Sequence, residues 1–140
     1  MESYKHTVQY YETDKMGMTH HSNYICWMEE ARVDFMTRVG WDYARMESEG
    51  VVSPVLGVSC DFKSHTTFAD EVYITVSVLE CGPVRMKIGY DMKNSEGKTV
   101  CEGYSKHCFL DERGRPVRLD KRLPGFYETM KSFVVEKTAE

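Results

Sequence analysis

The sequence has little of what marks a membrane-spanning, secreted or nucleic-acid-binding chain. Its purely apolar runs are only a few residues long, far short of the roughly 20 that a spanning helix needs. The opening Met1-Glu2-Ser3-Tyr4-Lys5-His6 has no apolar signal region, so the cytoplasm is the expected location. With 18 Lys and Arg against 22 Asp and Glu, the net charge is −4. That balance gives no electrostatic attraction for nucleic acid, and neither nucleic acid nor membrane is expected as a partner. The five cysteines, Cys26, Cys60, Cys81, Cys101 and Cys108, are odd in number and form no Cys-x-x-Cys. This argues against a disulfide framework or zinc ribbon and reads as small buried hydrophobes in a reducing compartment. His6, His65 and His107 have no ligand spacing, so no metal is expected. There is no repeat, low-complexity tract or linker, and 140 residues fit a single domain, 1–140, around one core.

What is present is the balance of a globular chain, 41% hydrophobic and 29% charged. Nine Met and nine Tyr suit irregular apolar space. Residues 4–11 read as a strand with Tyr4, His6, Val8 and Tyr10 on one face. Residues 22–39 read as a helix, because Tyr24, Met28, Ala31, Phe35 and Val39 recur at helical steps beside Trp27. Glu29, Glu30 and Arg32 then fall on its flank or far face. Gly40 suits the stop, and Asp42 suits the cap of a short helix 43–49 closed by Gly50. Period-two alternation follows at 54–63, 72–78, 84–92 and 99–110, with turns at Cys81-Gly82-Pro83, Asn94–Gly97 and Asp111–Pro116. Short turns make these strands antiparallel neighbours. Pro124 suits the start of a C-terminal helix, and the charged tail after Val135 should fray. The fold class is α+β, an antiparallel sheet of about five strands with one long helix covering a face.

The stretch from Tyr10 to Tyr24 carries the chemistry. Asp14 sits in a loop containing Gly17, directly before the long helix. His21 lies where the helix should begin, with Ser22 or Asn23 as N-cap. A helix start offers unpaired N–H donors and partial positive charge. A carboxylate facing such donors outlines a small hydrolytic site, one element attacking or activating water and the other holding an oxyanion. From spacing alone the Asx-turn or cap role, the usual one for a loop aspartate, comes ahead of a catalytic one. His20 and His21 should point in different directions, so one at most faces the site, and His21 is the choice.

The pattern Tyr-x-x-(x)-Asp-x-x-Gly-x-x-x-His/Tyr-x-x-Tyr, followed by a long helix and then strands, resembles the 4-hydroxybenzoyl-CoA thioesterase family of the hot-dog fold. The likeness covers roughly residues 4–130, and Asp14 to Tyr24 is its specific part. It implies an acyl-CoA thioester hydrolase whose sheet wraps around the central helix. No metal or organic cofactor is implied, coenzyme A being part of the substrate. Asp14 matches the family's catalytic aspartate, acting as base or nucleophile, and a backbone N–H near His21 polarises the thioester carbonyl. The His21 side chain takes a catalytic or orienting role. Tyr11 matches a tyrosine beside the aspartate, with Tyr10 as alternative because this chain has one residue fewer between. Gly17, Tyr24, Ser59, Asp61 and Lys63 are the candidate substrate-binding residues. Lys63, Arg85, Lys87 and Lys106 are candidates for the coenzyme A phosphates. His65 stands where many relatives have Pro.

Two other classes compete with hydrolysis: a hot-dog protein binding acyl groups without turnover, and a hot-dog dehydratase. Dehydration needs a His and a carboxylate on different elements, whereas a non-catalytic binder has no need of Asp14. Exposed sheet edges and a small core imply a homodimer or homotetramer. The site is then expected at the interface, the Asp14 loop of one chain facing Ser59–Phe62 of the other.

Overall fold

The computed structural model describes residues 2–134, so the tail expected to fray lies outside the described residues. The elements run β1 (Tyr4–Thr7), a 3-10 turn (Tyr10–Glu12), α1 (Ser22–Arg38), α2 (Tyr43–Ser48), β2 (Val55–Phe62), β3 (Glu71–Cys81), β4 (Arg85–Asn94), β5 (Thr99–Cys108), α3 (Leu119–Arg122) and α4 (Pro124–Ser132). They form a five-stranded antiparallel sheet in the order β1-β3-β4-β5-β2, the expected α+β class.

Two expectations about the strands change. The first strand ends at Thr7, because the Glu12 carboxylate accepts the Gln9 N–H at 2.8 Å and winds the next residues into the 3-10 turn. Tyr10 is consequently exposed rather than on the inner face with His6 and Val8. Secondly, β2 and β3 are consecutive but not neighbours, since β2 pairs with β5 at the sheet edge. The connection 63–70 is no hairpin turn. It is anchored near β1 by Ala69 N–H to Val8 C=O and Val8 N–H to Asp70 C=O, both 2.9 Å. At the edge, the expected inner residues Leu56, Val58 and Phe62 stay 52%, 41% and 51% exposed.

Contacts group the chain into two compact units. The first holds 1–35, 59–76 and 90–104. Here Tyr24, Trp27, Met28, Ala31 and Phe35 of α1 are buried, as are Ile74, Met92, Val100 and Cys101 of the sheet. Full burial of each large side chain contributes roughly 1.5–3 kcal/mol. The helix sits close to β5, since a Cβ on Gly103 would lie 2.5 Å from Met28 Cε. Arg32 departs from the expected exposed flank: it is buried, with its guanidinium 2.5 Å from Glu29 Oε1. Cys26 departs in the opposite sense and is exposed. The second unit, 36–58, 77–89 and the described residues from 105 onward, has its own aromatic cluster. Phe126 lies edge-on to Trp41 at 5.5 Å and to Phe109 at 5.8 Å. Asp42 caps α2 through the Arg45 N–H at 2.9 Å, as its spacing predicts.

Candidate active site

The Asp14 loop is built by short-range hydrogen bonds. Asp14 Oδ1 accepts the N–H groups of Met16 at 2.9 Å and Met18 at 3.3 Å. The backbone closes on itself through Gly17 N–H to Asp14 C=O at 3.0 Å and Asp14 N–H to Met18 C=O at 2.7 Å. Gly17 turns the corner with φ +78, a conformation that costs glycine little. Asp14 is therefore an Asx-turn residue, and the turn engages only one carboxylate oxygen. Oδ2 has no hydrogen-bond partner among the described residues.

The loop is zipped to the connection 63–70. Thr19 N–H donates to Thr66 C=O at 2.9 Å, and Thr67 Oγ1 to Gly17 C=O at 2.7 Å. The Thr19 and Thr66 hydroxyls lie 2.6 Å apart, and Tyr24 OH is 3.0 Å from Thr66 Oγ1. Burial pushes the Tyr24 phenol up, so it stays protonated and able to join this chain. Between the segments lies a cleft of about 320 Å³ lined by Asp14, Met18, Thr19, His21, Tyr24, Phe62, Lys63, Ser64 and His65. That is the lower end of the range for small-molecule sites.

The start of α1 differs from expectation. Ser22 is already helical, and His20 does the capping. His20 Nδ1 lies 3.2 Å from the Ser22 N–H and 2.8 Å from Ser22 Oγ. The Asn23 N–H donates to His20 C=O at 3.0 Å and the Tyr24 N–H to His21 C=O at 3.2 Å. These bonds occupy the first donors of the helix. The N–H of His21 has no acceptor among the described residues. The two imidazoles, expected to diverge, stack at 4.3 Å and 27°. They lie in the turn before the helix, where helical spacing does not separate neighbours. His21 also meets Phe62 edge-on at 6.3 Å.

The cleft brings together Asp14, His21, Tyr24 and Lys63, all within one chain. It does not include Tyr11, which is 82% exposed in the 3-10 turn, as Tyr10 is at 76%. Gly17 shapes the loop rather than lining the cleft. Asp61 is exposed and Ser59 half-buried on β2, both away from the lining. Of the stretch Ser59–Phe62 expected across an interface, Phe62 lines this cleft within the same chain, and Thr19, Thr66 and Ser64 join the site without a sequence signal. No local pattern marks them, because their proximity depends on where the connection 63–70 lands. A larger open groove of about 610 Å³ borders α1, lined by Tyr4, Cys26, Glu29, Glu30, Val33 and Asp34. Three carboxylates make it a poor seat for a polyphosphate.

No helix among the described residues is long and apolar enough to cross a membrane. The sequence profile of the thioesterase-like superfamily matches residues 8–133. A DHNA-CoA thioesterase from Staphylococcus aureus superposes with a TM-score of 0.88 at 30% identity, covering 94% of this chain and 89% of that one. YneP of Bacillus subtilis (strain 168), provisionally named an acyl-CoA thioesterase, is 28% identical over 121 residues, covering 86% of this chain and 88% of its own. A gentisyl-coenzyme A thioesterase structure shares the fold with a TM-score of 0.79 at 23% identity, covering 88% of this chain and 99% of its own. By sequence and by fold, the chain belongs to the thioesterase-like superfamily and has its hot-dog architecture.

Proposed function

We propose that this chain hydrolyses acyl-CoA thioesters in the Asp14 cleft. The observation that carries the reading is the Asp14 carboxylate, tethered through Oδ1 while Oδ2 has no partner among the described residues, in a cleft shared with His21. As a base, Asp14 takes a proton from water while the water oxygen bonds to the acyl carbon. As a nucleophile, it bonds to that carbon directly and water later cleaves the anhydride. On either route the C–S bond breaks, the coenzyme A sulfur leaves and is protonated, and the free acid is released. The His21 N–H, with no acceptor among the described residues, is a backbone donor for the developing oxyanion. Lys63 at the cleft suits a phosphate of the coenzyme. The names of the relatives support acyl-CoA as the substrate class.

The working unit is a homodimer or homotetramer. Its support is β2, an edge strand carrying Val55, Leu56, Val58 and Phe62 at 41–52% exposure. Such an edge invites a second strand. Phe62 belongs both to that edge and to the cleft, so a partner there would wall the site. Release of free thiol from acetyl-, octanoyl- and benzoyl-CoA, followed with a thiol reagent, tests the function. No release from any of them, by protein shown to be folded, would remove hydrolysis and leave an acyl-binding role.

A further inference from the structure

Glu12 is a carboxylate that the chemistry above does not use, yet it is 4% exposed. Its side chain is held from three directions. Trp27 of α1 donates Nε1–H to Oε2 at 2.7 Å. Gln9 donates its N–H to Oε1 at 2.8 Å. His6 of β1 places Nε2 at 2.8 Å from the same oxygen. The His6 ring packs on Trp27 at 4.5 Å, and its Nδ1 lies 3.2 Å from Glu30 Oε1, which also accepts from Tyr4 OH at 2.9 Å. A buried carboxylate is stable only with such a set of partners.

The backbone of the same residue bonds to the returning arm of the loop and to the helix start. Glu12 C=O accepts the His20 N–H at 2.8 Å and the Asn23 Nδ2–H at 3.0 Å. The loop carrying Asp14 therefore leaves from Glu12 and returns to it, and Thr13 bridges Thr19 at its neck. Trp27 lies further along the helix that His20 caps. One residue thus ties the outgoing arm of the loop, its returning arm and the helix start to a single buried anchor.

We propose that Glu12 is a positioning residue for hydrolysis: its carboxylate, fixed by Trp27 and His6, sets the placement of Asp14 against the His21 N–H. The proposal rests on the assignment of Asp14 above. Glu12 does not line the cleft, so it acts on turnover through Asp14 and leaves substrate binding largely alone. A misplacement of about 1 Å at a reacting group suffices for large losses of rate.

The test is a double-mutant cycle on the full chain, using whichever of acetyl-, octanoyl- and benzoyl-CoA is turned over fastest. Glu12→Gln sets an amide NH₂ against the Trp27 N–H or the Gln9 N–H, disturbing the anchor with little change of volume. It should lower kcat by roughly tenfold and change KM by less than twofold. In an Asp14→Asn background the same substitution should change kcat by less than twofold, because the group it positions is already gone. Trp27→Phe, which keeps an aromatic ring but deletes the donor and part of the buried volume, should lower kcat about threefold with the same split. It decides the question if Glu12→Gln fails to fold. An unchanged kcat with only a lower Tm, or an equal loss of kcat in both backgrounds, overturns the positioning role and leaves Glu12 as scaffold. A near wild-type rate for Asp14→Asn alone overturns the Asp14 assignment instead.

Discussion

The Tyr24 hydroxyl lies 3.0 Å from Thr66 Oγ1, and this contact joins the two walls of the cleft. Tyr24 belongs to the first turn of α1, whereas Thr66 sits in the connection between β2 and β3. The Tyr24 ring also packs on Trp27 at 4.7 Å and on Phe62 at 5.2 Å. Tyr24→Phe keeps the packing and removes the hydroxyl, while Thr66 retains Thr19. Loss of one buried hydrogen bond should cost about 1 kcal/mol, read from urea unfolding. A change well below 0.5 kcal/mol would mean that the contact is not a strut.

Asp14→Asn preserves size and the Oδ1 acceptor of the turn while removing the charge. It should lower kcat by roughly 10²-fold or more, the scale of lost general-base catalysis, with little change in Tm. His21→Ala should cost less, since alanine retains the backbone N–H. Steady-state kinetics on the two purified variants decides the order. If His21→Ala abolishes turnover and Asp14→Asn does not, the histidine is the base and the roles are inverted.

Burial alone would raise the Glu12 carboxyl, but the Gln9 N–H, His6 and Trp27 outweigh it and hold its pKa below the ordinary glutamate value. A group whose pKa is lower folded than unfolded stabilises the fold when ionised. That contribution is fully present above the unfolded glutamate pKa of roughly 4.3 and is lost as pH falls through the folded value. The stability gap between wild type and Glu12→Gln, measured by urea unfolding, should therefore shrink from pH 7 toward pH 3. A gap constant across that range would show that ionisation of Glu12 does not contribute.

Gly103 on β5 leaves no room for a side chain. An added Cβ would stand 2.1 Å from Ser59 C=O on β2 and 2.5 Å from Met28 Cε on α1. The methionine can move, but the carbonyl oxygen belongs to the paired strand. Gly103→Ala should destabilise by about 3 kcal/mol, the upper part of the range for overpacking. A Tm within 1 °C of wild type would mean that the strands separate without cost.

The β2 edge carries the prediction on assembly. Wild type should sediment as a dimer or tetramer at micromolar concentration, and Leu56→Glu combined with Val58→Glu should shift it toward monomer by placing like charges across the pairing. A wild-type monomer would remove the oligomer and leave the edge open.

The sequence by itself determined the elements whose signals are local. α1 follows from Tyr24, Met28, Ala31 and Phe35 at helical steps, and α2 from the Asp42 cap. The alternation of Val72, Ile74, Val76 and Val78 marks β3, and all four are buried. Asp14 and His21 sit in one short segment, where chain continuity limits their separation, and both line one cleft. Tertiary structure decided what depends on distant pairing. It placed β2 beside β5 and so brought Phe62 to His65 against the Asp14 loop. It also buried Glu12 between His6 and Trp27. These outcomes depend on contacts between separate elements, and neither hydrophobic periodicity nor turn chemistry encodes which elements meet.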